Sequence, residues 1–153
     1  MASGWTAKGC YEMFNMFLKN GTEPTTFYMA LVTSATVPDS TTNTLADLTE
    51  IAAGNGYTSG GAALPRSSSG FSALTEDDTN HWGLATLADI SWTASGGTIP
   101  PSGSAATYAV MTDDNATVSA RKVYNFFDLG GSTTATTGQT ILLSGLTLKA
   151  PAV

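Results

Sequence analysis

The run Thr25–Ala35, "TTFYMALVTSA", constrains the fold more than any other stretch of this chain. It is rich in β-branched and aromatic residues and stands between Pro24 and Pro38, so it reads as a strand. Its apolar residues are nearly continuous instead of alternating with polar ones, which is the pattern of a strand buried on both faces. Such a strand lies inside a sheet and needs a covering layer above and below. A chain of 153 residues is long enough to supply both as one domain, 1–153.

Further strand signals follow through a β body of about residues 25–150. "LPRSSSGFSAL" and "HWGLATLADISWTA" read as strands with turn-rich joints, Trp82, Leu84 and Thr86 alternating with Gly83, Ala85 and Leu87. "SGGTIPPSGS" is a loop, broken by Gly96-Gly97 and Pro100-Pro101. "AATYAVMTDD" and "RKVYNFFDLGG" read as a strand pair joined around "DDNATVSA", and "GQTILLSGLTLKA" closes the set with a bend or bulge at Gly145. Six or seven such strands separated by turns describe an antiparallel β-sandwich or jelly-roll-like domain.

Two helices interrupt this reading. "TAKGCYEMFNMFLKNG" predicts an N-terminal helix over about residues 6–20: Cys10, Met13, Phe14, Phe17 and Leu18 form one apolar stripe, and Asn20-Gly21 can cap its end. The usual fate of such a stripe is to pack on a sheet, with Cys10 as a small buried hydrophobe. Trp5, Tyr11 and Met16, partly off the stripe, are then the residues free to touch another subunit. A second, short helix is expected in "TTNTLADLTEI", where Thr44 and Asp47 have the spacing of a capping box.

Composition narrows the functional classes. Charged residues make up 12% of the chain, against about 25% in an ordinary soluble domain. No apolar run approaches the roughly 20 residues a membrane helix needs, and 42% hydrophobic content supports a packed core. The polar surface is instead built from 25 Thr and 15 Ser, a neutral skin suited to being covered by partner subunits. A net charge of -6 and a pI near 4.4 argue against a nucleic-acid binder, and no membrane partner is expected. One cysteine allows no intrachain disulfide, and "MASGWTAKGC" lacks the basic and apolar regions of a secretory signal, which points to synthesis in a reducing cytoplasm.

Catalytic signals are weak throughout. "GNGYTSGGAAL", Gly54–Leu64, packs four glycines into eight residues, but no lysine lies between Lys19 and Lys122 and the helix precedes the strand, so it reads as a backbone joint and not a phosphate loop. His81 is the sole histidine. Asp77, Asp78 or Asp89 could orient it, yet no Gly-x-Ser-x-Gly elbow exists and "TEDDTNHW" reads as a turn. Asp77-Asp78 and Asp113-Asp114-Asn115 lack calcium-loop spacing, although a surface Ca²⁺ stays open. No catalytic residue, metal ligand or cofactor is assigned, and no enzyme is expected.

The order "FYMALVTS", "TLADLTEI", "GNGYTSGGAAL", "WGLATLADISWTASGG", "ATYAVMTDD", "VYNFFDLGG" and "TTGQTILLSGLTL" resembles a family of small virion structural proteins of tailed bacteriophages. The likeness runs from about Phe27 to Leu148 and resides in order and spacing. It implies a non-enzymatic β-rich protein of the virion, assembled in the bacterial cytoplasm. Its expected place is on the capsid as a cement or decoration protein, bound to the major capsid protein or other virion subunits. Symmetric shell sites favour a homo-oligomer, a trimer first. The helix Gly9 to Lys19, the tail "LKAPAV" and the longer loop Thr98 to Ser104 are the places for contacts. The alternative is a small tail, fibre or adaptor component, with glycan or receptor binding through Trp5, Trp82, Trp92 and Tyr57. A hydrolase built on His81 is the weakest reading.

Overall fold

The computed structural model describes residues 3–151. Thr26–Val32 (β2) is an inner strand, as its unbroken apolar run requires, hydrogen-bonded to Ala62–Pro65 (β3) on one side and Ala106–Thr112 (β7) on the other. Val123–Thr133 (β8) and the two-residue Gly4–Trp5 (β1) complete a sheet of order β1-β8-β7-β2-β3, antiparallel throughout. The alternation of β2 splits its side chains between two cores. Met29 and Leu31 enter the larger one, with Leu64, Ala109, Met111 and Phe127. Ala30 and Val32 enter a smaller one behind the sheet, with Val110, Val123 and Phe126.

Two small antiparallel sheets form the second layer over the larger core. Phe71–Asp77 (β4), Trp82–Leu87 (β5) and Thr147–Pro151 (β10) have the order β10-β5-β4, and Ile90–Thr93 (β6) pairs with Thr140–Leu143 (β9). Leu87, Ile90, Trp92, Ile141, Leu143 and Leu148 point from these sheets into the core. Phe27 meets Phe71 across the layers at 5.9 Å and Tyr124 within its own sheet at 5.2 Å, both nearly perpendicular. The smaller core is closed by Leu45 and Leu48. The result is the expected mainly-β, antiparallel sandwich-like architecture with one N-terminal helix.

Three expected strands each divide in two. The run 64–74 breaks at the turn in which Gly70 N–H donates to Ser67 C=O, the run 81–94 breaks at Ala88-Asp89, and the last breaks around Gly145, whose φ of 66° lies in the left-handed region glycine favours. The second helix is a single 3₁₀ turn, Leu45–Asp47, ended by the extended Leu48. Its capping box is present, with the Asp47 carboxylate accepting from Thr44 N–H at 2.8 Å.

The N-terminal helix, Ala7–Lys19 (α1), starts and stops where expected. Thr6 Oγ1 accepts from Gly9 N–H at 2.8 Å, and Asn20 ends it in the left-handed conformation. Its orientation is the reverse of the expectation. Tyr11, Met13, Phe14, Phe17 and Leu18 all face solvent, and so does Cys10. The buried face is Thr6, Gly9 and Glu12, with Met16 partly buried behind them.

The physical reason is the closeness of α1 to β8. A side chain at Gly9 would meet the Tyr124 carbonyl, its Cβ only 2.6 Å from Tyr124 Cα, so only glycine lets the helix lie there. The Thr6 hydroxyl donates to Val123 C=O at the same crossing. Glu12, one turn on, is paired with Lys8 at 2.9 Å and Lys122 at 3.1 Å. A helix docked through small and polar residues leaves its apolar stripe uncovered.

Candidate interaction surface

The outward stripe of α1 is the most unusual feature of the surface. Between Tyr11 and Leu18 it carries no accessible charge, because Glu12 is turned into the body. Burial alone would push the Glu12 carboxyl up, but hydrogen bonds and charge from Lys8 and Lys122 outweigh it and hold the group below its ordinary value. The pair helps fix which way α1 faces: rotating the stripe inward would swing Glu12 away from Lys122 and put bulky side chains where only Gly9 fits against Tyr124.

The stripe continues into a groove of about 310 Å³ between α1 and the β10-β5-β4 sheet. Met13 forms one wall, while Leu74, Leu84 and Leu148 line the other side. Register explains the composition. Leu148 and Leu74 both pair with Ala85, so the three lie in one row across the sheet. The row begins in the core at Leu148 and ends in solvent at Leu74.

The glycine-rich segment is a joint, and its geometry accounts for its glycines. Asn55 and Gly56 both have positive φ and make a two-residue reversal between Gly54 and Tyr57, which exchange backbone hydrogen bonds of 2.8 and 3.1 Å. Gly61, at φ 78°, passes against the β2 backbone, where an added Cβ would lie 2.7 Å from Ala30 Cα. The segment does cradle an anion, but one of its own. The Glu50 carboxylate accepts from Tyr57 O–H at 2.7 Å, Ser59 O–H at 2.8 Å and Gly60 N–H at 2.6 Å. Burial, then the nearby Glu50 charge, push the Tyr57 hydroxyl far above its usual range.

The other residues weighed in the sequence are not brought together. His81 sits exposed at φ 59° in the β4–β5 turn. Asp77 is occupied by that turn, accepting from Thr79 N–H, Asn80 N–H and the Asn80 amide. Asp114 accepts from Thr25 N–H and O–H, each at 2.8 Å, and Asp113 accepts from Lys122 N–H at 3.0 Å. Burial would raise the Asp114 carboxyl, but the Thr25 and Thr26 donors prevail and lower it. Among the described residues no group of three or more His, Cys, Asp or Glu is arranged to hold a metal ion.

The aromatic platforms considered for glycan stacking are largely committed elsewhere. Trp92 and Tyr57 belong to the core, with ring centroids 5.9 Å apart. Trp82 has the Lys149 ammonium 4.3 Å from its ring centroid. The Trp5 indole N–H donates to Lys149 C=O at 2.8 Å, tying β1 to β10. Of the tail "LKAPAV", Leu148 is buried in the core and Lys149 and Ala150 are exposed; Ala152 and Val153 lie outside the described residues. No described helix is long and apolar enough to cross a membrane.

Sequence reasoning placed α1 but missed its anchor. The missed signal was Gly9 itself: glycine inside a helix costs about 1 kcal/mol relative to alanine, and close backbone approach is what offsets it. Set against known protein families, curated proteins and solved structures, the chain matches none.

Proposed function

We propose that this chain is a non-enzymatic structural protein of a phage virion, a cement or decoration subunit that stabilises the capsid by binding across its surface. The observation that carries this reading is the uncharged apolar face of α1, held outward by the Glu12–Lys122 pair and continuous with the groove beside Leu74. Such a face marks a subunit that works inside an assembly, covered by other subunits, copies of itself included. The neutral Thr- and Ser-rich skin suits the same life, since charge is depleted at the centres of protein interfaces. Each subunit bound to the assembled shell, and not to its dissociated parts, shifts the equilibrium toward the shell by mass action. Homo-oligomers matching the symmetry of shell sites are part of the proposal.

The test is to add the purified protein to capsids that lack it and image them by electron cryo-microscopy. Density at symmetric positions, with increased resistance of the shell to heat, is the expected result. A bare shell overturns the capsid assignment and moves the search to the tail and fibre.

A further inference from the structure

We infer that the occupant of the α1 face is a second copy of this chain, so that the molecule is a homo-oligomer closed through α1 and the adjoining β4 groove. The inference deepens the proposed function and rests on its reading of α1 as a contact surface. Size is the first argument. Tyr11, Met13, Phe14, Phe17 and Leu18 are 61%, 39%, 64%, 87% and 69% exposed, and Leu74 is 79% exposed. With an aromatic side chain presenting about 150–250 Å² and Leu or Met somewhat less, these six expose about 700 Å². A standard interface takes about 800 Å² from each partner, and the largest apolar patch on an ordinary monomer is about 300–600 Å². The patch is at the size of one complete half-interface.

Chemistry is the second argument. The face holds rings, thioether and branched alkyl groups and no free carboxylate; its ammoniums lie at the margins, Lys8 over the Tyr11 ring and Lys19 beside Leu18. Faces of this composition are those of permanent homo-oligomers, which resemble a core cut in two. A basic partner would find no free carboxylate on this face to answer its charge.

Shape is the third. The patch has a convex part, the Phe14–Phe17 ridge, and a concave part, the groove between Met13 and Leu74, side by side. Ridge and groove on one molecule are the two halves of a contact that a copy can complete.

Sedimentation and light scattering of the full-length protein across micromolar concentrations test this directly. The expected result is a discrete oligomer, with Cys10, which borders the face, slow to react with maleimide. F14E/F17E is expected to sediment as a monomer with its circular dichroism unchanged and Cys10 labelled at least ten-fold faster. Leu18→Glu serves as a second, milder variant should the double one fail to fold. A wild-type monomer with fully reactive Cys10, or an oligomer indifferent to these substitutions, overturns the inference. A monomer that still decorates capsids sinks only this inference; an oligomer that leaves them bare sinks only the capsid assignment.

Discussion

Replacing Gly9 with alanine separates two accounts of α1 by the sign of its effect. If the helix merely trailed from the body, alanine would stabilise it by about 1 kcal/mol through helix propensity. The structure requires the opposite. The new Cβ would stand 2.6 Å from Tyr124 Cα, and ordinary contact begins at 3.4 Å, so the helix must lift by at least the difference of 0.8 Å. Both sides of the clash are backbone, and neither can rotate away. Overpacking of this kind costs about 1–3 kcal/mol, and rigid neighbours place it in the upper half of that range. The lift also stretches the 3.1 Å Glu12–Lys122 pair. Subtracting the propensity gain leaves a net loss of about 1–2 kcal/mol, a fall in Tm of about 3–8 °C for a chain of this size. Thermal unfolding by circular dichroism, at one fixed protein concentration, reads it. A Gly9→Ala protein that melts higher than wild type would refute the docking geometry on which the outward face depends.

Other outcomes follow from the same contacts. Glu12 titrates in the folded protein below its ordinary 4.5, so the unfolded chain takes up the proton first; its contribution is whole above that value and is lost as pH falls through the folded one. Glu12→Gln is therefore expected to cost about 1 kcal/mol near neutral pH, both lysines being partly solvated, and the gap from wild type should close in urea titrations near pH 3. Glu50→Ala strips the acceptor from Tyr57, Ser59 and Gly60 and should lower stability by about 3 kcal/mol, with Glu50→Gln losing less. Gly61→Ala, strained at φ 78° and pressed on Ala30, should leave little folded protein in a soluble-expression assay.

Much of the fold could be read from residues alone, and the reasons differ by element. β2 announced itself because burial on both faces erases the alternation that other strands show. The ends of α1 were legible because caps are local: Asn20 and Gly21 need only their own helix. Which face of α1 is covered was not legible, because periodicity detects stripes and this helix carries two. The Cys10–Leu18 stripe is the more hydrophobic, yet the Thr6, Gly9, Glu12 stripe is the one that docks, through a partner residue, Lys122, more than a hundred positions away. The same limit hid the role of Glu50: nothing near it in sequence shows that its carboxylate fills the glycine loop ten residues on. The division of "GQTILLSGLTLKA" between two sheets was marked by Gly145, but which sheet each half joins is a matter of long-range pairing.

The polar skin has a consequence for how the molecule meets changing salt. Among the described residues the ion pairs involve only Glu12 and Glu23, while the turns are held by short hydroxyl and carboxylate hydrogen bonds such as Asp39 with Thr41, Asp114 with Thr25 and Gln139 with Thr136. Raising salt from about 0.01 M to about 1 M shrinks the Debye length from about 30 Å to about 3 Å and silences charges acting over longer reach. A bond of 2.7 to 2.9 Å between a hydroxyl and its acceptor lies inside even the shorter length. The exposed apolar side chains of α1 carry no charge for salt to screen. Apart from the Glu12 pairs with Lys8 and Lys122, the fold is thus built from forces that dilute buffer and concentrated brine leave almost equally intact.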